Sequence, residues 1–362
     1  MPEAGDPSES ADDTDVKGTH IKRTKGKFTM NTRTAKSLAA LAAVTLIATL
    51  TGCSTGTGDD VDAPIAGCED APAKIGYSPL TMELAWFTIF ERGLRAAAEA
   101  CGTEVIVADP GGDAIKQASD IDTLVASGVE ALAIYAVDPI TIAASVAAAK
   151  EAGIAIVGVA SEFDGATTVG IDFRSTGYSS GVCGGEWLEA NDAKDAPYKI
   201  AILHGKSTGQ NQIDQYDGMI DGLTEVVGAD GFEVVAEADV FTEEKGFTDV
   251  TAILQANPQL DLIITNNDGG ALGALSAVSS AGFEVGVDVG VAAAGIDERL
   301  LDEVAAGRAV CSVDSAPDML GEAVYETATD LVNGVDAEPF EVAGDAITAD
   351  NVKEIATRLY GE

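Results

Sequence analysis

Short apolar runs alternate with longer helical stretches along most of this chain, and this alternation constrains the fold more than any other feature. The short runs predict buried strands. The first three helical stretches stop at Gly102, Gly128 and Gly153, as helix ends commonly do. Buried strands that alternate with helices form a parallel sheet with helices on both faces. The predicted strands are 75–78, 104–108, 131–135 and 155–159, and the predicted helices are 85–100, 115–126 and 140–152.

The same alternation restarts near residue 199, which predicts a second α/β unit. The roughly 290 residues after residue 72 also exceed what one hydrophobic core usually supports, so two lobes are expected. The fold class is therefore α/β, with two doubly wound parallel-sheet (Rossmann-like) lobes. The predicted second-unit strands are 199–203, 233–236, 262–265, 289–294 and 309–313, and the helices are 177–189, 213–227, 247–255, 271–281, 298–306 and 317–333.

Polar and aromatic side chains follow the predicted strands in both units. Open α/β sheets bind ligands at the carboxyl ends of their strands, so these positions are the candidate site. Carboxylates, amides and aromatics dominate the set, and no Lys or Arg lies at a strand end. The strand-end residues are Ser78, Asp109, Tyr135, Ala160, Asp172, His204, Asp239, Val240, Phe241, Asn266, Asn267, Asp268, Asp297 and Asp314.

The N-terminal region predicts export. An apolar run, 38–50, is too short to span a bilayer, follows basic residues, and ends in Leu50-Thr-Gly-Cys53. This ending resembles a bacterial lipobox, which implies that Cys53 is lipidated and tethers the protein to the outer face of the cell membrane. An apolar core helix is the alternative interpretation. Residues 1–29 are interpreted as an upstream extension, with Met30 as the expected start, or as an acidic tail.

The charge balance excludes one class of partner. The chain has 21 Lys and Arg against 60 Asp and Glu, for a formal net charge of −39. Nucleic-acid binding needs clustered cations, so we expect no nucleic-acid partner. Solubility or a salty environment is the simpler explanation of the acidity itself.

Four cysteines remain after Cys53, namely Cys68, Cys101, Cys183 and Cys311. An exported location permits disulfides, and four cysteines allow three connectivities; free buried thiols are the alternative. The chain has no CxxC and only one histidine after Cys53, so neither a metal site nor a cofactor is expected.

Several segments, in order, resemble the ribose- and galactose-type (type I) periplasmic sugar-binding proteins of ABC importers. The first are Tyr77-Ser-Pro-Leu and the segment that opens with Ala85-Trp-Phe. The most specific are Asn266-Asn-Asp-Gly-Gly-Ala-Leu-Gly and Gly295-Ile-Asp297. The resemblance covers about residues 73–350. It implies two lobes joined by a three-strand hinge, a membrane permease as partner, and a monomer that closes around a small sugar or polyol.

The resemblance also implies roles for individual residues. Trp86 and Phe87 match aromatics that stack on a sugar ring, although either could belong to the core. Asn267 and Asp297 match polar residues that bind sugar hydroxyls, although Asn267 could instead cap the following helix. The complete set of predicted ligand-binding residues is Trp86, Phe87, Tyr135, Asp172, Phe241, Asn267, Asp268, Asp297 and Ser315.

Departures from the family pattern bear on the ligand. Ala160-Ser161 replaces an Asp-Arg pair of ribose-binding relatives, and a second-lobe arginine gives way to the segment Gln210–Gln215. Without these bidentate donors ribose itself is disfavoured. Another sugar, a polyol, a cyclic alcohol or a cationic solute remains open.

The resemblance predicts a domain layout. The ranges are 1–52 for the extension and signal peptide, 53–72 for the tether, 73–172 with 315–336 for the N-terminal lobe, and 173–314 with 337–362 for the C-terminal lobe. Crossings between the lobes are expected near 172–174, 314–316 and 334–340. In this layout the predicted disulfides are Cys68–Cys101 and Cys183–Cys311.

Two other functions compete with solute import. A sensor would present the liganded lobes to a signalling receptor. An exported enzyme could use His204, in Leu203-His-Gly-Lys-Ser-Thr, but this segment lacks the first glycine of a P-loop and no catalytic set is evident. We therefore expect a binding protein rather than an enzyme.

Overall fold

The structure is a computed structural model, and it describes residues 68, 70–191 and 196–361. The predicted signal, Cys53 and nearly all of the tether lie outside these residues. The strands are β1 (Lys74–Ser78), β2 (Glu104–Val107), β3 (Ala131–Ile134), β4 (Ala155–Val159), β5 (Thr167–Asp172), β6 (Tyr198–His204), β7 (Phe232–Asp239), β8 (Leu262–Thr265), β9 (Gly290–Ala292), β10 (Ser312–Asp314), β11 (Phe340–Ala343) and β12 (Asp345–Ile347). The helices are α1 (Ala85–Glu99), α2 (Ala114–Ala126), α3 (Pro139–Glu151), α4 (Phe173–Ala190), α5 (Gln210–Val227), α6 (Glu243–Ala256), α7 (Asp268–Ser280), α8 (Glu298–Ala305), α9 (Pro317–Val332) and α10 (Val352–Tyr360).

The first lobe is built on a parallel sheet with the strand order β11-β5-β4-β3-β1-β2. Its core includes Ile75, Phe90 and Val157, which are fully buried. Helix α9 contributes Leu320 to the same core, so the chain returns to this lobe after β10.

The second lobe contains a parallel sheet with the order β7-β6-β8-β9. A parallel bridge from Ala292 to Cys311 joins β9 to the segment that leads into β10, and β12 pairs antiparallel with β10. The two lobes are thus doubly wound α/β units, and the predicted fold class is confirmed.

The last lobe boundary differs from the prediction. Strand β11 pairs with β5 in the first-lobe sheet, from Phe340 beside Val169 to Ala343 beside Asp172. The third crossing therefore lies at Gly344, between β11 and β12, rather than at 334–340, and 337–343 belong to the first lobe. The sequence signal is weak because β11 is only four residues long and is a largely exposed edge strand.

Helix ends follow local chemistry. Gly102, Gly128 and Gly153 have φ of 71°, 79° and 84°, in the left-handed region that glycine adopts without strain. At the opposite ends, Asp113 and Asp138 accept hydrogen bonds from backbone N–H groups of α2 and α3. These caps lie at the strand-end side of the first sheet, and the carboxylates of Asp113 and Asp138 are already hydrogen-bonded there.

Two helix pairs approach closely through glycines. In the α4–α5 pair, a Cβ at Gly218 would lie 2.1 Å from the carbonyl oxygen of Arg174. In the α1–α9 pair, a Cβ at Gly321 would lie 2.3 Å from the carbonyl oxygen of Phe90. Backbone therefore packs directly on backbone, which fixes the spacing between α4 and α5 and between α1 and α9.

The four described cysteines form two disulfides. Cys68 bonds to Cys101 with their Cα atoms 5.2 Å apart, and Cys183 bonds to Cys311 with 6.6 Å between Cα atoms. The first ties the start of the described chain to the end of α1. The second ties α4 to the segment that enters β10.

Candidate functional site

Aromatic side chains line the strand ends of the first lobe. Trp86 and Phe87 lie in the first turn of α1, and Tyr135 follows β3. The ring of Tyr135 meets Phe87 edge-on, with centroids 5.0 Å apart, and Trp86 in the same way at 5.9 Å. Phe87 is only 4% exposed, whereas Trp86 and Tyr135 keep partly exposed surface. Phe87 thus supports the wall from the core, and the other two rings can face a ligand.

Trp86 also links this wall to a crossing between the lobes. Its indole Nε1 donates a hydrogen bond to Ser315 Oγ at 3.0 Å. Ser315 lies between β10 of the second lobe and α9 of the first. The stacked partner of Trp86 on its core side is Phe90, at 5.5 Å between ring centroids.

The carboxylate of Asp172 caps helix α4. Its Oδ1 accepts a hydrogen bond from Ser175 N at 2.9 Å. It also lies near Glu341 of β11, whose pKa is raised by burial and further by the negative charges of Asp172 and Glu162. Asp172 is thus at the first crossing, in a locally acidic environment.

Asn267 caps helix α7. Its Oδ1 accepts a hydrogen bond from Gly270 N at 2.8 Å, and its Nδ2 donates to the carbonyl of Val240 at 2.8 Å. The side chain thereby ties β8 to the chain after β7. Its predicted role toward a ligand stays a prediction, since these contacts already use both polar atoms.

Asp268 and Asp297 lie side by side. Asp268 Oδ1 accepts a hydrogen bond from Asp297 N at 2.7 Å. Burial raises the pKa of the Asp268 carboxyl to about 6, against the lowering effect of that hydrogen bond. A Cβ at Gly295, where φ is 157°, would lie 2.1 Å from Asp268 Oδ1, so glycine is required for this approach. Asp268 therefore positions the segment that carries Asp297.

An arginine that the sequence reasoning missed lies beside Asp297. Arg299 Nε lies 3.2 Å from Asp297 Oδ1, and Arg299 Nη1 lies 2.9 Å from Glu243 Oε2. Asp297 also caps α8, because Oδ1 accepts a hydrogen bond from Arg299 N at 2.9 Å. The sequence signal for this ion pair was the spacing of Asp297 and Arg299, two residues apart at a predicted helix start. Two carboxylates neutralise this cation.

Phe241 is an exposed aromatic of the second lobe, at 45% exposure. Its ring lies over the backbone of Gly205, where a Cβ would come within 2.4 Å of the ring. Close to it, the amide of Asn266 lies 2.8 Å from Gln212 Oε1. Gln215, which lies on α5 together with Gln212, has a buried Oε1 without a hydrogen-bond partner.

Two buried polar residues that are not among the predicted ligand-binding residues support the first-lobe wall. Gln117 Nε2 donates to the carbonyl of Tyr135 at 2.8 Å, and its Oε1 accepts from Val137 N at 2.8 Å. Ser161 Oγ accepts from Ala136 N at 2.9 Å. A polar residue on the apolar face of α2 was the only sequence signal for Gln117.

His204 lies among charged groups of the second lobe. Its Nε2 is 3.4 Å from Glu237 and its Nδ1 is 3.7 Å from Asp239. Burial lowers the pKa of His204, and the positive charge of Lys206 lowers it further. Within 70–191 and 196–361, no group of three or more His, Cys, Asp or Glu side chains is arranged to hold a metal ion.

A model of the periplasmic binding protein domain matches residues 75–336. This covers well over half of the chain, so the chain belongs to the periplasmic binding protein family. Among the described residues, no helix combines the length and apolar character needed to cross a membrane.

Similar proteins share this fold. The ribose import binding protein RbsB of Bacillus subtilis is 28% identical over 269 residues, which cover 72% of this chain and 82% of that protein. An ABC transporter solute-binding protein of Mycobacterium smegmatis with bound glycerol is 28% identical, with a TM-score of 0.66 and coverage of 78% and 96%. One from Bacillus halodurans C-125 with bound myo-inositol is 25% identical, with a TM-score of 0.66 and coverage of 80% and 99%. The type I periplasmic fold predicted from the sequence is therefore confirmed.

Proposed function

We propose that this protein is the extracytoplasmic solute-binding component of an ABC importer, and that it binds a small sugar or polyol between its lobes. The observation that carries the proposal is the pairing of partly exposed aromatics, Trp86 and Tyr135, in one lobe with strand-end carboxylates and the exposed Phe241 in the other. Aromatic faces cover the C–H surface of a sugar ring, and fixed polar groups bind its hydroxyls. The relatives named for ribose, or solved with glycerol or myo-inositol, support the same ligand class.

The local chemistry favours an uncharged ligand over an anion. Arg299 is the cation beside Asp297, and Asp297 and Glu243 already neutralise it. Ser161 stands where ribose-binding relatives have an arginine. Its Oγ already accepts a hydrogen bond from the backbone N–H of Ala136. A carboxylate or phosphate on the ligand would therefore meet acidic groups without a free bidentate donor.

Ligand binding would close the lobes. A ligand that touches both lobes binds the closed arrangement more tightly and shifts the population toward it. The closed form would dock on the membrane permease of the importer. We propose a monomer without catalytic activity, and a sensor that addresses a signalling receptor is the alternative.

The anchor is part of this proposal. Cys53 would carry the lipid after cleavage of the preceding segment, and residues 53–72 would tether the lobes to the outer face of the membrane. Cys53→Ser expressed from Met30 should release the protein from the membrane fraction. Membrane retention of that variant would contradict the lipoprotein assignment.

The binding experiment is a thermal-shift screen followed by calorimetry. The panel contains D-ribose, D-allose, xylitol, myo-inositol, glycerol and an amine control. A ligand at about 1,000 times its Kd stabilises the folded state by about 4 kcal/mol, which a thermal shift detects. Failure of every sugar and polyol, with binding of the amine, would overturn the ligand class.

Two exposed phenylalanines of the second lobe provide a matched test of the site. Phe241 is 45% exposed at the strand ends, and Phe247 is 39% exposed on α6. Phe241→Ala should weaken binding of the ligand found by the screen about tenfold, whereas Phe247→Ala should leave it unchanged. Equal effects of the two substitutions would show that Phe241 is not part of the binding site.

Turnover of the ligand by the purified protein would favour an enzyme over a binding protein.

A further inference from the structure

The crossing between β10 and α9 is held by one side chain of the C-terminal helix. Asp314 ends β10 in the second lobe, and Asp318 lies in the first turn of α9 in the first lobe. The guanidinium of Arg358, on α10, bonds to both carboxylates, with one terminal nitrogen on each. It therefore bridges the two ends of the short segment Ser315–Ala316 that joins the lobes.

The bridged segment is not in a relaxed conformation. Ala316 has φ 45° and ψ 57°, a left-handed conformation that residues with a Cβ rarely adopt. Ala316 N donates to Asp314 Oδ1 at 2.7 Å. The Asp314 side chain is only 7% exposed, and burial raises its pKa against the lowering effect of Arg358. The surrounding contacts thus hold a strained backbone and a buried carboxylate in place.

The same turn of α10 contacts both lobes at further points. Arg92 of α1, in the first lobe, donates a hydrogen bond to the carbonyl of Leu359. Tyr360 donates through its hydroxyl to the carbonyl of Ile296, next to Asp297 in the second lobe. Ile89 of α1 is buried in the second-lobe hydrophobic cluster that contains Ile296.

The bridged segment also reaches the aromatic wall. Ser315 lies next to Ala316 and accepts the hydrogen bond from Trp86 Nε1. A change in the torsion angles at Ala316 would move Ser315 Oγ and break or redirect this bond. The crossing and the indole ring are therefore mechanically connected.

We propose that Arg358 is a positioning residue for ligand binding: by bridging Asp314 and Asp318 it sets the torsion angles of the crossing, and through Ser315 the orientation of Trp86. This inference rests on the proposed closure of the lobes. Arginine suits the task because its planar fork binds two carboxylates at once, which a lysine cannot reproduce.

The test uses the ligand-free full chain with Cys53→Ser, so its result does not depend on which sugar binds. Asp318→Asn removes the first-lobe arm of the bridge and leaves the buried Asp314 paired. Arg358→Lys keeps the charge and removes the fork. The control is Arg308→Gln, because Arg308 pairs with Glu303 entirely within the second lobe.

The readout is hydrogen exchange by mass spectrometry, with urea unfolding on the same samples. Asp318→Asn and Arg358→Lys should each speed exchange of the amides of Ala316 and Leu320 roughly tenfold relative to those of α8. Arg308→Gln should not. Small-angle scattering should show a wider distribution of interatomic distances for the first two variants.

Each other outcome overturns the inference. Wild-type exchange at the crossing in Asp318→Asn would show that the bridge does not hold it. Wild-type behaviour of Arg358→Lys would show that charge alone suffices. Faster exchange spread equally over both lobes, with a lower urea midpoint, would assign the bridge to overall stability. Failure of the sugar screen would leave these exchange results intact.

Discussion

Replacing Gly218 by alanine should be among the more destabilising single-atom additions in this fold. The new Cβ would lie 2.1 Å from the Arg174 carbonyl oxygen and 2.8 Å from Tyr178 N. Both atoms belong to the backbone of α4, so no side chain can rotate away. An ordinary contact needs about 3.4 Å, so the two helices must separate by more than 1 Å at this point.

The expected loss of stability follows from two opposing effects. Overpacking of a rigid interface costs about 3 kcal/mol at the upper end of the usual range. Alanine in a helix recovers about 1 kcal/mol relative to glycine. The net loss in the free energy of unfolding is about 2 kcal/mol, which corresponds to a fall in Tm of about 3 °C for the roughly 290 residues of the two lobes.

Gly270 on α7 supplies the matched control. A Cβ there would meet its nearest neighbours, which include Asn267 Oδ1, at 3.6 Å, an ordinary contact distance. Gly270→Ala should therefore keep or raise the urea midpoint, whereas Gly218→Ala should lower it. Equal midpoints for the two variants would refute the reasoning that α4 and α5 pack through their backbones.

Three further predictions concern the site and the disulfides. Trp86→Phe should weaken ligand binding less than Trp86→Ala in calorimetry, because phenylalanine keeps an aromatic face and loses only the bond to Ser315; equal losses would contradict stacking. The pKa of Asp268 in the folded state is raised from 3.8 to about 6 and so lies above its value in the unfolded state. The stability that the protonated Asp268 carboxyl contributes is therefore full below about pH 4 and is lost as pH rises through 6. Urea titrations of Asp268→Asn should lack this slope between pH 4 and 6; an unchanged slope would exclude Asp268 as its source. Removing Cys183–Cys311, which closes a loop of 128 residues, should lower stability by about 4–5 kcal/mol, and a loss below about 1 kcal/mol would refute the loop-entropy estimate.

The fold class was predictable because strands and helices leave local periodic signals. The runs at 75–78 and 131–135 predicted β1 and β3 nearly to the residue. Strand β11 left no such signal, since it is an exposed edge whose place depends on pairing with β5, about 170 residues earlier. Its assignment to the first lobe needed the long-range contact.

The candidate site was predictable in outline only. Parallel topology brings strand ends together, so Tyr135 and Asp297 could be named from position alone, whereas Trp86 was named from the family resemblance. The sequence could not tell which polar atoms of the candidate site residues are already hydrogen-bonded within the protein. Asn267 is used as a helix cap, and Asp297 is paired with Arg299.

The sequence by itself determined the two-lobe α/β architecture, because that follows from the order of short-range patterns, and the same order predicts the edge of each sheet where we expect a ligand. Only the tertiary structure decided how the lobes are joined. Arg358 meets Asp314 and Asp318 across 44 and 40 residues of chain, and Trp86 meets Ser315 across 229. Such pairs leave no periodic signal, since their geometry exists only after the helices and sheets have packed.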